Sequence, residues 1–469
     1  MNIIFGTDGW RGLLESEVNE HSVSLVAQAF SDYAKIRSSS PSIVIGYDGR
    51  RRSKEFAHLF ASILDGNSIR YFLSETVIPT PVVSYFVKAQ SLDFGVMLTA
   101  SHNPPEYNGI KFKAAYGGPF FTDETHKVEA LIGRSPVQRS ARQLVTHDLL
   151  TLYKEHLRKI VDFETIAEGN ITALIDSMSG AGGTIIEDLL SDYGSKAKTI
   201  FEIPNDTFSG RLAEPIEKNL IPLQQELQRN SYSFGVATDG DADRLGVLLD
   251  TGEWLSSQET ILLLADFLKN GKHFSGDIIK TSSVTNLLQK HFGSADCTVH
   301  DVQVGFKYIC EKMMETDAAF GAEESGGYGF KGHIPERDGI LSALLFIEML
   351  ASSPHKRLSD YVEVKRKQFG RIFYDRVDHP YHHDDRNDKL PAMINDPPAE
   401  IAQFSVKNIL KFYSSRGIVN GLKFNLEGKT RWLLLRSSET EPLIRVYAEG
   451  ESEKEVQQIL KSGIALIAN

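Results

Sequence analysis

Only two cysteines occur in the 469 residues, Cys297 and Cys310. They have neither C-x-x-C spacing nor the number a disulfide framework needs, so a reducing cytoplasm is the expected setting. Long apolar runs are also missing. The richest, Ile340–Leu350, is broken by Glu348 and falls short of a membrane span. The opening M-N-I-I-F-G-T-D-G has no basic stretch followed by an apolar one, and no secretory signal is expected. Positive charge is in deficit, with 51 basic against 62 acidic residues and a net charge of −11. That balance argues against nucleic acid or an acidic membrane as the main partner, so an anionic ligand would need a local positive site. What remains is ordinary globular composition, 41% hydrophobic and 24% charged. The length predicts about three or four domains.

The stretch F-G-V-M-L-T-A-S-H-N-P-P-E-Y-N-G-I-K-F-K, residues 94–113, concentrates the chemistry. Phe94–Leu98 has the short apolar pattern of a buried strand, and Thr99–Pro104 breaks it with small, polar and proline residues. Ser101 and His102 are thereby predicted at a strand end, with Lys111 close by. In open α/β sheets such ends bind ligands, although the same residues also populate ordinary turns. Elsewhere helical and strand patterns alternate: a helix over Val18–Ala34, a strand over Ile43–Gly46 ending in Y-D-G-R, a strand over Ile171–Ile175 with a helix near Thr184–Tyr193, and a strand over Asp277–Lys280. Alternation of this kind implies βαβ units and a mostly parallel sheet. Three strands contain Phe-Gly, at 94–95, 234–235 and 320–321. Each runs straight into a polar loop: T-A-S-H-N-P, D-G-D-A-D-R and E-E-S-G-G. A repeat at domain scale is the economical account, each copy offering one loop to a common cleft. After Tyr361 the pattern changes. His379–Pro398, rich in His, Asp, Asn and Pro, suits a linker or exposed excursion. Closely spaced strands over Gly421–Leu426, Trp432–Leu435 and Leu443–Ala448 then precede a helix over Glu451–Ala468.

Asp239, Asp241 and Asp243 alternate in D-G-D-A-D-R. Three carboxylates this close repel unless neutralised, and oxygen ligands favour Mg²⁺ or Ca²⁺. An EF-hand opens the same way, but it needs glycine where Arg244 stands and helices where the flanks read as strands. Glu323, Glu324 and Ser325 form a second acidic loop, suited to sugar hydroxyls or to a plain polar turn. Lys307 follows glycine in V-G-F-K. Arg436, Ser438, Thr440 and Arg445 lie within R-S-S-E-T-E-P-L-I-R, where guanidinium forks and hydroxyls would make a phosphate clamp. His379, His382 and His383 with Asp384 and Asp385 could bind a transition metal, but their proline-bracketed segment reads as solvated.

Together these loops resemble the α-D-phosphohexomutase family of phosphoglucomutases and phosphomannomutases. The likeness spans the chain through four motifs in the family's order. T-A-S-H-N-P at 99–104 is similar to the phosphoserine loop, D-G-D-A-D-R at 239–244 to the metal loop, E-E-S-G at 323–326 to the sugar loop, and R-S-S-E-T-E-P at 436–442 to the phosphate loop. The resemblance implies three related mixed-sheet α/β domains plus a C-terminal α+β domain around a central cleft, with limits at 1–146, 147–253, 254–365 and 366–469. It implies exchange of hexose 1-phosphate and 6-phosphate through phosphorylated Ser101 and a bisphosphorylated sugar. One Mg²⁺ per chain would be held by Ser101, Asp239, Asp241 and Asp243, with glucose 1,6-bisphosphate as activator. Arg11 and Lys111 would line the reacting centre, and His102 and Lys307 are the candidates for proton transfer. Arg244, Lys280, Glu323, Ser325, Arg436, Ser438, Thr440 and Arg445 would bind substrate. The expected molecule is a cytoplasmic monomer or weak dimer working on small sugar phosphates in carbohydrate metabolism.

Two positions depart from the pattern. Gly327 stands where the mannose and glucosamine branches commonly carry histidine, so E-E-S-G-G is closer to the phosphoglucomutase version. Glu439 replaces the usual Gly or Asn of the phosphate loop. A phosphatase of the haloacid-dehalogenase kind would need an Asp nucleophile followed by D-x-T, and Asp241 is followed by Ala242 and Asp243. A non-catalytic sugar-phosphate sensor would lack a nucleophile, metal ligand or clamp, and every one of these is present.

Overall fold

The computed structural model describes residues 3–6, 8–382, 386–414, 417–438 and 442–468. It divides into two compact units. The first comprises Met1–Thr260, Asp266–Phe274 and Ser325–Glu363; the second comprises Ile261–Ala265, Ser275–Glu324 and Val364–Asn469.

Two sheets build the first unit. In one, the strands Trp10–Leu13, Tyr107–Ala114, Phe94–Leu98, Ser42–Tyr47, Arg70–Ser74 and Thr146–His147 lie side by side in that order. Tyr107–Ala114 runs antiparallel to Phe94–Leu98, while Phe94–Leu98, Ser42–Tyr47 and Arg70–Ser74 are parallel. The second sheet repeats the plan with Trp254–Leu255, Leu245–Leu249, Phe234–Thr238, Thr172–Asp176 and Lys196–Ile200. Again the Phe-Gly strand has an antiparallel partner on one side and parallel neighbours beyond. In the second unit, Val299–Val302, Asp277–Thr281 and Ala318–Ala322 supply the same parallel trio, with Phe320-Gly321 in the last.

The recurring Phe-Gly has a packing cause. A Cβ on Gly95 would lie 2.8 Å from Val87, one on Gly235 2.9 Å from Leu227, and one on Gly321 2.5 Å from Ile309. Those side chains belong to the helices Thr80–Ala89, Ile221–Arg229 and Phe306–Glu315, each immediately preceding its strand. Glycine lets helix and strand approach closely at an equivalent point in all three copies.

The apolar run at Ile340–Leu350 forms the helix Gly339–Ala351, buried along its whole length. Glu348 does not interrupt it, because its carboxylate accepts from Lys272 Nζ at 2.5 Å and from the Asp162 amide at 3.2 Å. Among the described residues no helix is long and apolar enough to cross a membrane.

The second unit also holds an antiparallel sheet ordered Phe373–Pro380, Leu443–Gly450, Trp432–Ser437, Val419–Leu426, Phe404–Tyr413 and Glu400–Ile401. The helix Glu453–Ala468 covers it through Val456, Ile459, Leu460 and Ile467. One expectation needs correction here. The segment read as a linker, His379–Pro398, contains the end of the strand Phe373–Pro380, paired with Leu443–Gly450, and the helix Arg386–Asn395. Leu390 is buried in the core beneath that helix. Composition misled because a polar edge strand and a helix carrying Pro391 both look like loop. Of the proposed His cluster, His383, Asp384 and Asp385 lie outside the described residues, and His382 is exposed.

Candidate active site

In the first unit, the buried strand Phe94–Leu98 ends at Thr99, and Ser101 sits in the left-handed region with φ 53°. A non-glycine residue holds that conformation only when its surroundings impose it. Here the restraints are explicit. The Ser101 amide donates to Thr99 Oγ1 (2.8 Å), whose hydroxyl donates to Asp48 Oδ2 (2.6 Å). The buried Arg50 guanidinium donates to the carbonyls of Ser101 (2.6 Å), Asn103 (2.6 Å), Pro104 (2.8 Å) and Tyr107 (3.1 Å). Asp48 balances it at 3.3 Å. Asp48 and Arg50 come from the Y-D-G-R strand end, a motif visible in the sequence whose role is not.

The Ser101 hydroxyl donates to Asp239 Oδ2 at 3.0 Å. Asp239, Asp241 and Asp243 are all fully buried, and one carboxylate oxygen from each lies within 4.8 Å of the others. Asp239 Oδ1 accepts from the amides of Asp243 and Arg244, which folds the loop back on itself. Lys111 Nζ joins Asp241 Oδ2 (2.8 Å), Asp243 Oδ2 (2.9 Å) and Asp8 Oδ2 (3.1 Å). Arg337 Nη2 reaches Asp243 Oδ2 at 2.9 Å and also Asp8. Thr80 Oγ1 donates to Asp241 at 2.6 Å. Arg244 lies 3.9 Å from Asp243 and 4.0 Å from Asp239; Arg11 lies 3.6 Å from Asp8 and donates to Asn103. Asp8, Thr80 and Arg337 were not expected. Asp8 stood at the centre of G-T-D-G-W-R-G, and E-R-D-G before an apolar helix was the available signal for Arg337.

Burial raises the pKa of Asp239, and Asp243 and Asp241 push it further, well above the usual carboxylate range. Burial would raise Asp241 and Asp8 too, but Lys111 and its neighbouring cations hold both below that range. Burial works against charge on Lys111, yet Asp241, Asp243 and Asp8 raise its pKa above the ordinary lysine value. Burial, with Arg244 and Arg11, keeps His102 well below the usual histidine value and therefore neutral. The oxygens Asp241 Oδ1 and Asp243 Oδ1 are buried without a hydrogen-bond partner. Clustered, oxygen-only and free of hydrogen bonds, they fit a hard divalent cation. Ser325 belongs to this unit as well; the next residue, Gly326, accepts from the Leu245 amide just past the Asp loop.

The second unit carries the other candidates. Arg436 and Arg445 stand directly opposite each other on adjacent antiparallel strands. Like charges so placed repel. Arg436 Nε is buried without a hydrogen-bond partner, and Arg445 lies 3.7 Å from Asp378. The pair suits an anion between two forks. Ser438 is buried beside it; Thr440 and Glu439 lie outside the described residues. Lys307 lies in the first turn of the helix Phe306–Glu315, 4.8 Å above the Tyr308 ring. Glu323 is buried just past the strand Ala318–Ala322. Lys280 is fully buried, donating to Asp301 (2.7 Å) and the Val284 carbonyl (3.0 Å).

Comparison with known proteins matches four domain families described as phosphoglucomutase/phosphomannomutase: domain I over residues 2–138, domain II over 151–252, domain III over 256–369 and the C-terminal domain over 385–463. A phosphoglucomutase/phosphomannomutase of Thermococcus kodakarensis is 28% identical, covering 100% of this chain and 99% of that protein. A phosphoglucosamine mutase of Methanocaldococcus jannaschii is also 28% identical, over 100% and 98%. The crystal structure of a putative phosphomannomutase from Thermus thermophilus superposes with a TM-score of 0.85 at 31% identity, covering 100% of both chains. With four domain matches in order and end-to-end likeness in sequence and fold, the chain belongs to the phosphoglucomutase/phosphomannomutase family of phosphohexomutase isomerases.

Proposed function

We propose that this chain interconverts glucose 1-phosphate and glucose 6-phosphate through a phosphorylated Ser101. The observation that carries the reading is Ser101 itself, held at φ 53° with its hydroxyl 3.0 Å from the buried Asp cluster. In the forward half-reaction the bond from Ser101 Oγ to phosphorus breaks as a sugar hydroxyl oxygen bonds to the same phosphorus. The hydroxyl proton passes to His102 or Lys307, Ser101 Oγ takes up a proton in exchange as it leaves, and the sugar becomes a bisphosphate. After the sugar turns over, its other phosphoryl group returns to Ser101 Oγ, which gives up its proton, and the departing sugar oxygen takes one up. Arg11, Lys111 and Arg244 would neutralise the moving phosphoryl group, since phosphoryl transfer depends chiefly on positioning and charge. Mg²⁺, held by Asp239, Asp241, Asp243 and the phosphorylated Ser101, would supply further charge neutralisation when bound. Glu323 and Ser325 would hold sugar hydroxyls. Arg436, Ser438, Thr440 and Arg445 would hold the phosphate not in transfer, a reading supported by the facing arginines.

The reading includes domain limits at 1–146, 147–253, 254–365 and 366–469, supported by the matched spans. It also includes glucose 1,6-bisphosphate as activator, a monomer or weak dimer, and a cytoplasmic setting supported by two buried cysteines that form no disulfide. Intact mass before and after glucose 1,6-bisphosphate with Mg²⁺ tests it. A gain of one phosphoryl group, absent in Ser101→Ala, is expected; a protein never phosphorylated would overturn it. A second reading takes mannose or glucosamine phosphates through the same chemistry, favoured by the names of the relatives. Relative rates on the three sugar 1-phosphates decide, and a clear preference for either rival replaces glucose.

A further inference from the structure

Arg337 reaches the Asp cluster through a gap that exists only because residue 327 is glycine. A Cβ there would stand 2.3 Å from Arg337 Cδ and 2.7 Å from Cγ, closer than atoms pack. Neither side can move away cheaply. Gly327 forms a bridge with Arg244, and Gly326 accepts from Leu245. Around Arg337, Glu336 pairs with Lys113 at 2.5 Å, the Asp338 amide donates to the Tyr328 carbonyl (3.1 Å), and the Gly339 amide donates to the Ala242 carbonyl (3.1 Å). Asp338 also accepts from Tyr153 and caps the helix Gly339–Ala351. The backbone carrying Arg337 is therefore fixed on both flanks, and its stem must cross Gly327.

What the guanidinium does there is specific. Asp241 Oδ2 accepts from Thr80 and Lys111, and Asp243 Oδ2 takes Lys111 and Arg337. In both carboxylates Oδ2 is occupied and Oδ1 is buried without a hydrogen-bond partner, with Arg244 Nε 3.9 Å from that of Asp243. The surrounding groups thus hold one oxygen of each ligand and leave the other free of hydrogen bonds. Groups that orient metal ligands in this way set the affinity of the site. On the reading that this cluster binds a divalent cation, we propose that Arg337 is a positioning residue for metal uptake, threading past Gly327 to fix Asp243, and that Gly327 is required because any side chain there displaces it. Arg337→Met keeps the stem and loses the fork; Gly327→Ala keeps the fork and blocks its path.

Calorimetric titration of the metal-free full chain with Mn²⁺ and Mg²⁺ tests this without measuring turnover. Each variant should bind metal about 10- to 100-fold more weakly than wild type. The double variant should be no worse than Arg337→Met alone, because both remove one contact. At saturating metal the sugar-phosphate KM should be unchanged. Unaltered metal affinity in Arg337→Met overturns the proposal, and a raised KM in its place would make Arg337 a substrate contact. Wild type that binds no metal would remove both the metal reading and this proposal, whereas tight wild-type binding with an unaffected variant removes this proposal alone. If thermal melts show that Gly327→Ala does not fold, Arg337→Met decides.

Discussion

Each unit buries a lysine completely, and the two behave in opposite ways. Lys111 in the first unit touches three carboxylates, Asp8, Asp241 and Asp243. Lys423 in the second shares a single carboxylate, Asp301, with Lys280, at 2.9 Å and 2.7 Å. Burial works against the charged form of both. For Lys111 the three acids win, and its pKa rises. For Lys423 burial wins over Asp301, with Lys280 pushing the same way, and its pKa falls to about 7. Depth does not set the sign; the number of partners does. The first cluster surrounds its lysine with acid. The second is short of acid, and Lys423 rests partly on the face of Trp432, 4.7 Å away.

The largest effect is expected from breaking the first cluster. Lys111→Met leaves Asp241 and Asp243 with one fewer cation in a fully buried setting. Uncompensated buried charge costs about 3–5 kcal/mol of stability. Loss of a preorganised cation at a developing charge should also lower kcat by about 10²–10³-fold. Denaturant midpoints with and without Mg²⁺ sharpen the point, since added metal should recover part of the stability. A variant as stable as wild type would mean that the carboxylates simply take up protons, and that the cluster is not organised around charge.

Asp301→Asn should come next. It removes the one acid between two buried lysines, but the Asp301 side chain is 20% exposed, so water relieves part of the cost. A loss of about 1–3 kcal/mol is expected, with metal affinity at the Asp cluster unchanged. A shift in metal affinity would contradict the treatment of the two clusters as independent.

The contrast also marks what could be read from the chain. Ser101, the three aspartates and the Phe-Gly strands announce themselves in short stretches, because turn chemistry, like-charge spacing and helix–strand clearance act over a few residues. Arg50 is visible in Y-D-G-R, but its role depends on carbonyls more than fifty residues away. Asp8 and Arg337 are 329 residues apart, and Lys111 and Asp241 are 130 apart. Nothing in local pattern pairs them. The segment His379–Pro398 misleads for the converse reason: its composition is loop-like, but pairing with Leu443–Gly450 and burial of Leu390 outweigh it.

The smallest and most discriminating effect concerns pH. Lys423 faces Asp301 and Lys280 from the parallel sheet and Glu449 from the strand Leu443–Gly450 of its own sheet. Its pKa is about 7 folded and near the ordinary lysine value of 10.5 unfolded. Between those values the unfolded chain holds a proton that the folded chain has released, so stability increases as pH rises through that window. Below pH 7 both states carry the proton and the slope vanishes. Urea unfolding followed through Trp432, with Trp10 and Trp254 replaced by phenylalanine, reads the second unit locally. The midpoint should climb from pH 7 to pH 9, and Lys423→Met should flatten it. Lys111, raised by its three acids, has no part in that window, so its own substitution should leave the slope intact. Parallel curves for wild type and Lys423→Met would show that Lys423 keeps its proton despite its single shared acid, and the contrast between the two lysines would collapse to a difference in partners without a difference in charge.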